Sequence, residues 1–160
     1  MDSSVPQLSH QVSTVPTSSH NTESCCVNAP LEKVWPFFRD FKLHEVAPDT
    51  VTNMECTSGA AGQVGSIVKI SYANGSTWEV MITEISEKYH RICYQLVQAV
   101  PSIHCSSVDT EIEFTRCTFE NETFFKWTTE FSNDADLQVH QDSKYKKHDF
   151  FGKLKKHFTK

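Results

Sequence analysis

The C-terminal segment, roughly residues 136–160, most constrains what this chain can fold into. On a 3.6-residue period it forms one stripe that starts at Ser143 and continues through Lys147, Phe150, Phe151, Leu154 and Phe158. A single helix cannot bury such a stripe against itself, so the stripe requires a partner surface from the rest of the chain. A basic helix lying on a membrane is the alternative, which Lys147 inside the stripe and the helix-weakening Gly152 disfavour.

The preceding part of the chain offers that surface, because its apolar period changes to two, as in strands. Asn74-Gly75 lies between two alternating segments and predicts a type I′ hairpin turn, in which both residues have positive φ. Six strands are predicted: Val51–Thr57, Ser66–Tyr72, Thr77–Ile85, His90–Ala99, Val108–Cys117 and Thr123–Ser132.

A short strand and two short helices are predicted ahead of these six strands. Ordered structure should begin with a strand at Thr22–Val27, followed by a helix entered at Asn28-Ala29-Pro30. A second helix at Lys42–Val46 should end before Pro48. This order of elements predicts an α+β fold, with residues 22–160 as its single domain.

Residues 1–21 are predicted to be a disordered polar tail. Their Ser, Thr, Pro, Gln and His residues, with isolated valines, cannot bury enough apolar surface to offset chain entropy. The tail has neither the basic region nor the apolar region of a secretory signal. Free thiols are therefore favoured over disulfides for the six cysteines, and we expect a cytoplasmic protein.

Charge is distributed unevenly along the chain and limits its possible partners. Residues 138–160 hold seven Lys and two Asp, a local charge of +5. Because the net charge of the whole chain is −5, the other residues together carry a charge of −10. A chain that is acidic over most of its length is a poor nucleic-acid binder. No run of 18 apolar residues exists, so we expect no stable membrane insertion. The sequence leaves the oligomeric state open, and we expect a monomer or a weak dimer.

Alternation in each strand predicts which side chains face inward. In the strand at Thr77–Ile85, for example, Trp78, Val80 and Ile82 lie on one face. The predicted concave side is rich in aromatic residues, some of which have polar tips. These side chains could enclose a cavity or could simply fill a core. Gly152 favours the cavity, because it removes a side chain where close packing would want a larger one.

Several motifs together resemble one known superfamily. Val27-Asn28-Ala29-Pro30 with Val34-Trp35-Pro36-Phe37-Phe38-x-Asp40-Phe41 is similar to the opening of the START-related, polyketide-cyclase and birch-pollen-allergen-like (SRPBCC) superfamily. The same pattern continues in a glycine loop, which contains Gly59 and Gly62 and runs into Gly65-Ser66-Ile67-Val68-Lys69-Ile70. It also includes Ile92-x-Tyr94-x-Leu96 and Trp127-x-x-x-Phe131. The resemblance covers residues 22–159.

The resemblance implies the helix-grip fold, in which a seven-stranded antiparallel sheet wraps a long C-terminal helix and two short helices follow strand 1. It also implies a cavity between sheet and helix for a lipid, sterol, hormone or polyketide, without a cofactor. The residues expected to bind the ligand are Trp35, Val68, Ile70, Tyr72, Trp78, Val80, Ile82, Tyr94, Leu96, Ile112, Phe114, Phe125, Trp127, Thr129, His148 and Phe151.

The opening most resembles the plant lachrymatory-factor-synthase-like branch, which pairs an Arg and a Glu on neighbouring strands for catalysis. Alignment places these at Val68 and Val80, and two valines can neither donate nor accept protons. The adjacent Lys69 and Glu79 are expected to face outward. We therefore expect no catalytic residues and lean against an enzyme.

Other kinds of site are disfavoured by their contexts. The glycine loop resembles a phosphate-binding loop in spacing, but it runs into a strand rather than a helix. His140 and His148 lie two helical turns apart without a Cys or carboxylate at ligand spacing, so no metal site is predicted. The strand cysteines are expected to be packed rather than reactive.

The sequence thus predicts a protein that binds a hydrophobic small molecule in an internal cavity and performs no covalent chemistry. Entry would lie near the loop at residues 58–65 and the turn at residues 87–89. An alternative is a cyclase, dehydratase or lyase in the same cavity, with Tyr94, Tyr72 and His148 as candidates for proton transfer. A third class is a module that presents a partner-binding gate when its ligand is bound.

Overall fold

The computed structural model describes residues 18–159 and confirms the predicted α+β fold class. The strands are β1 (His20–Val27), β2 (Val51–Ser58), β3 (Ile67–Tyr72), β4 (Thr77–Ser86), β5 (Arg91–Val100), β6 (Val108–Cys117) and β7 (Glu122–Phe131). The helices are α1 (Leu31–Arg39), α2 (Leu43–Val46) and α3 (Leu137–Phe158). All seven strands form one antiparallel sheet in the order β1-β7-β6-β5-β4-β3-β2.

The first strand begins earlier than predicted. β1 starts at His20, two residues before the predicted start at Thr22. Its extension is stabilised by pairing with β7, since the Phe131 N–H donates to the Ser19 carbonyl at 2.8 Å. The predicted start of this strand is therefore two residues late. The domain boundary at residue 22 stays a prediction, and residues 1–17 of the predicted tail lie outside the described part.

The turn between β3 and β4 is not the predicted type I′. Gly75 has a φ of 89°, but Asn74 is not among the described residues with positive φ. The Gly75 N–H donates to the Tyr72 carbonyl at 3.0 Å, and the Tyr72 N–H donates to the Ser76 carbonyl at 2.9 Å. This is a three-residue loop with glycine in the left-handed position. Asn74 Oδ1 stabilises it by accepting from the Ser76 N–H at 2.9 Å.

The predicted stripe of α3 is confirmed. Lys147, Phe150, Phe151 and Leu154 are all buried, and Phe158 is half-buried. Asp136 caps the start of the helix, since its Oδ1 accepts from the Val139 N–H at 3.0 Å. α3 packs along β1 and reaches α2.

Inward alternation of the strands is confirmed by burial. Val68, Val80, Ile82, Ile112 and Phe125 are each at most 4% exposed. The side chains beneath α1 form a solid aromatic cluster rather than an open space. The rings of Phe114 and Phe125 stack with their centroids 4.8 Å apart and an angle of 6° between their planes. Phe38, Phe150 and Phe151 pack around this pair.

Helices within residues 18–159 include none that is both long enough and apolar enough to cross a membrane.

Gly152 lies on the outer side of α3, so the prediction that it makes room for a cavity is wrong. It is exposed, and an added Cβ would meet nothing within 4 Å. We expect Gly152→Ala to raise the free energy of unfolding by about 1 kcal/mol, because alanine restricts the unfolded chain and favours helix. Urea unfolding followed by circular dichroism measures the change. Gly75→Ala is the matched control and should destabilise, since its φ is 89°. A loss of stability in Gly152→Ala would contradict the placement of Gly152 on the outer side of α3.

Candidate functional site

The sixteen residues predicted to bind a ligand separate into three groups. The largest is buried in the core and comprises Trp35, Val68, Ile70, Val80, Ile82, Ile112, Phe114, Phe125, Thr129 and Phe151. A second group faces the same concave side but keeps accessible surface; its members are Tyr72, Trp78, Tyr94, Leu96 and Trp127. His148 alone lies on the outside of the fold.

These five residues pack against the buried core and keep accessible surface, and we call the part of the concave side that they form the concave recess. Tyr72 and Tyr94 are only half-buried by surface area. Desolvation nevertheless raises the pKa of Tyr72 to about 12, and it raises the pKa of Tyr94 further. The two hydroxyls are therefore shielded from water, although both rings keep accessible surface.

Polar groups in the concave recess are few. The Thr110 side chain beside the Tyr94 hydroxyl partly offsets the rise in the Tyr94 pKa. Tyr72 packs edge-on against Trp78, with ring centroids 6.3 Å apart. Such a surface can bury an apolar molecule and orient it through one or two hydrogen bonds.

Trp127 and Lys147 form the most polar part of this concave side. Lys147 is 2% exposed, and its Nζ lies 5.8 Å from the centre of the Trp127 ring. The Nζ donates to Asn21 Oδ1 at 2.6 Å and to the Asn21 carbonyl at 3.2 Å. The buried Trp127 Nε1 has no hydrogen-bond partner among the described residues. From the sequence, Lys147 is interpreted only as an interruption of the α3 stripe. A cation inside an apolar stripe could also have indicated a buried polar site at this position.

His148 does not point inward, so the prediction that it faces the cavity is wrong. Its side chain is 57% exposed, and its Nε2 lies 2.8 Å from Glu23 Oε2. The residue follows Lys147 in α3 and is therefore rotated by about 100° from it. That rotation places it beside β1 at the edge of the sheet.

A cleft lies at one end of this fold. It has a volume of about 480 Å³, and of the predicted site residues only Val68 borders it. Its other walls come from the end of α1, from β2 and from the glycine loop, at residues 39–41, 54–56 and 61–63. The cleft therefore lies next to the predicted entry.

Arg39 and Glu87 connect the elements around that entry. Arg39 Nη1 donates to the Gly62 carbonyl at 3.2 Å, and its Nε donates to Glu87. The Trp35 Nε1 also donates to Glu87, at 2.9 Å. These bonds lower the pKa of Glu87, with the Arg39 bond as the largest cause. The Trp35 indole is consequently used at the entry rather than in the recess.

The positions aligned with a catalytic Arg and Glu are directly opposite each other. Val68 pairs with Val80 across β3 and β4, and both are 2% exposed. Lys69 pairs with Glu79 in the same register but on the other face. The two valines therefore lie side by side on the inner face of the sheet, and neither can transfer a proton.

Thiol and metal chemistry gain no support from the described residues. All six cysteines are free. Burial raises the pKa of Cys93 to about 12 and that of Cys25 to about 11, so both remain thiols at neutral pH. No group of three or more His, Cys, Asp or Glu residues within 18–159 is arranged to hold a metal ion.

Comparison with solved structures decides the fold. The crystal structure of Ara h 8.0201 has a TM-score of 0.70 and 17% identity, covering 88% of this chain and 97% of that one. The major latex-like protein 151 from Panax ginseng has a TM-score of 0.67 and 16% identity, covering 88% and 95%. The chain has the helix-grip fold. A protein of known structure from Nitrosospira multiformis shares it, with a TM-score of 0.74, 20% identity and coverage of 87% and 95%.

The resemblance to the START-related superfamily is therefore confirmed at the level of the helix-grip fold. No protein-family model and no curated protein matches the sequence. The closer resemblance to the lachrymatory-factor-synthase-like branch stays a prediction.

Proposed function

We propose that this helix-grip protein binds a hydrophobic small molecule, such as a lipid, sterol or polyketide, in the concave recess. The observation that carries the proposal is the set of aromatic side chains Tyr72, Trp78, Tyr94 and Trp127, which pack against the core on the concave side and still keep accessible surface. Apolar surface buried in such a recess contributes about 25 cal/mol per Å². The hydroxyls and the Trp127 indole can then orient the ligand.

Binding without chemistry has better support than a cyclase, dehydratase or lyase. The raised pKa values of Tyr72 and Tyr94 make both groups poor proton donors and acceptors near pH 7. His148 faces away from the recess. The named candidates for proton transfer therefore do not favour the enzymatic alternative.

Free thiols also support a reducing compartment. We accordingly propose that the protein works in the cytoplasm, as a monomer or a weak dimer.

A neutral fluorescent probe, N-phenyl-1-naphthylamine, tests the binding function. We expect a saturable rise in probe fluorescence that a lipid or sterol reverses by displacement. Leu96→Trp should weaken probe binding about tenfold or more, because the larger ring occupies recess space. Val97→Trp is the matched control: Val97 is 53% exposed, so this variant should bind like the unmodified protein. Absence of saturable binding, or an equal loss in both variants, would contradict the proposal.

A further inference from the structure

Lys147 is an unusual residue for the inner stripe of α3. It is 2% exposed and is flanked on that stripe by Phe150 and Phe151. No carboxylate within residues 18–159 forms an ion pair with its Nζ; the acceptors that it contacts are the two oxygens of Asn21. An ammonium has three N–H donors, so these two neutral acceptors leave one donor unused. A buried cation that forms no ion pair is costly, and ionisable groups in strongly perturbing surroundings cluster at functional sites.

A second unused donor lies beside it. The Trp127 Nε1 is buried without an acceptor, although buried indole N–H groups normally have one. The Lys147 Nζ is 5.8 Å from the centre of the same indole ring. Trp127 keeps accessible surface and is one of the residues of the concave recess, so Lys147 lies beside the recess at this point. Two donors, one of them charged, thus share one end of an otherwise apolar surface.

We propose that the ligand of the concave recess is an amphiphile with a carboxylate at one end, and that Lys147 and Trp127 bind that carboxylate. This inference rests on the proposed function and deepens it. The apolar part of the ligand would lie along Leu96, Tyr94 and Tyr72, and its carboxylate would accept from the Lys147 Nζ and the Trp127 Nε1. The ligand would place a carboxylate in direct contact with the Lys147 Nζ, whereas Glu23 acts on its charge without forming an ion pair with it.

Titration of Lys147 follows from the same surroundings. Desolvation lowers its pKa to about 8, and the charge of Glu23 on β1 partly opposes this shift. His140 and His148 of α3 are the other titratable groups beside it, and β7 contributes the neutral Trp127. A bound carboxylate favours the charged amine. The affinity for a carboxylate should thus be highest below the Lys147 pKa of the ligand-free protein. It should fall by up to tenfold per pH unit as the pH rises above that pKa.

Dodecanoate and dodecanol, which share a chain length and differ in charge, test the proposal by displacing N-phenyl-1-naphthylamine. At pH 6.5 we expect dodecanoate to bind about tenfold or more tightly than dodecanol. At pH 9.5 this preference should shrink about tenfold, while dodecanol binding stays constant. Dodecanoate is ionised at both pH values, so the change reports on the protein.

Substitutions at Lys147 distinguish a ligand contact from a structural role. Lys147→Met should abolish the preference for dodecanoate over dodecanol at pH 6.5. Lys147→Arg should keep the preference and remove its fall at pH 9.5, because guanidinium stays charged there. Trp127→Phe should weaken dodecanoate binding about fivefold, the effect of one hydrogen bond. Lys144→Met, an exposed lysine one turn earlier, should retain the full preference.

Equal affinity for dodecanoate and dodecanol in the unmodified protein would overturn the inference and leave the proposed function intact. A preference that survives in a folded Lys147→Met variant would do the same. If neither compound nor the probe binds, both the inference and the proposed function fail.

Discussion

Phe125→Ala is expected to lower the free energy of unfolding by about 3–5 kcal/mol, the largest effect of any substitution considered for this protein. Phe125 is fully buried and stacks on Phe114 at 4.8 Å. Its ring centroid also lies 5.2 Å from that of Phe38 and 5.3 Å from that of Phe151, so one ring connects the sheet with α1 and α3. Removing it leaves a cavity whose aromatic walls cannot close over it.

Phe119→Ala is the matched control for this experiment. Phe119 lies in the turn between β6 and β7, close in sequence to Phe125, and it is 99% exposed. Its loss should change stability by no more than about 0.5 kcal/mol. Urea unfolding of both variants, followed by circular dichroism, measures the difference. Equal stability of the two variants would show that the aromatic cluster is not the core of this end of the fold.

Val80→Asp is expected to lower the free energy of unfolding by more than about 3 kcal/mol, because it buries a carboxylate that has no partner. Val80 is 2% exposed and faces Val68 across the sheet. The nearest cation in register, Lys69, is on the opposite face. The new carboxyl group must therefore be desolvated or bind a proton at the expense of stability.

Thr83→Asp places the same side chain on the exposed face of the same strand. It should shift the urea midpoint little, since the new charge stays in water. A Val80→Asp variant as stable as Thr83→Asp would mean that the Val68–Val80 pair is accessible to water. That result would restore the interior of β3 and β4 as a place for acid–base chemistry.

The main features of the fold could be predicted from the sequence because they depend on local periodicity. The α3 stripe and the inward set of β4 follow from spacings of 3.6 and 2 residues, and burial confirms both. The prediction for the turn at Asn74-Gly75 is wrong because the same dipeptide suits two loop lengths. Asn74 Oδ1 accepting from the Ser76 N–H selects the longer loop here.

The candidate site could be predicted less completely, because alternation does not distinguish a packed ring from an accessible one. Phe125 and Trp127 share one face of β7, yet Phe125 is fully buried and Trp127 keeps accessible surface. The difference arises from α1, which covers only one end of the concave side. The prediction for His148 is wrong because Lys147 occupies the inward position beside it. That position is fixed by β1, through Asn21.

The pairing of β1 has a consequence for how the protein is made. β1 forms its ladder with β7 alone, so that His20 faces Glu130 and Val27 faces Thr123. During synthesis the first strand emerges from the ribosome long before its partner. Until β7 is made, the N–H and C=O groups of β1 hydrogen-bond to water. Cotranslational folding of the sheet can therefore advance from β2 towards β7, while β1 joins last. Truncation ahead of β7 would leave the first strand as an unpaired edge that is prone to aggregate.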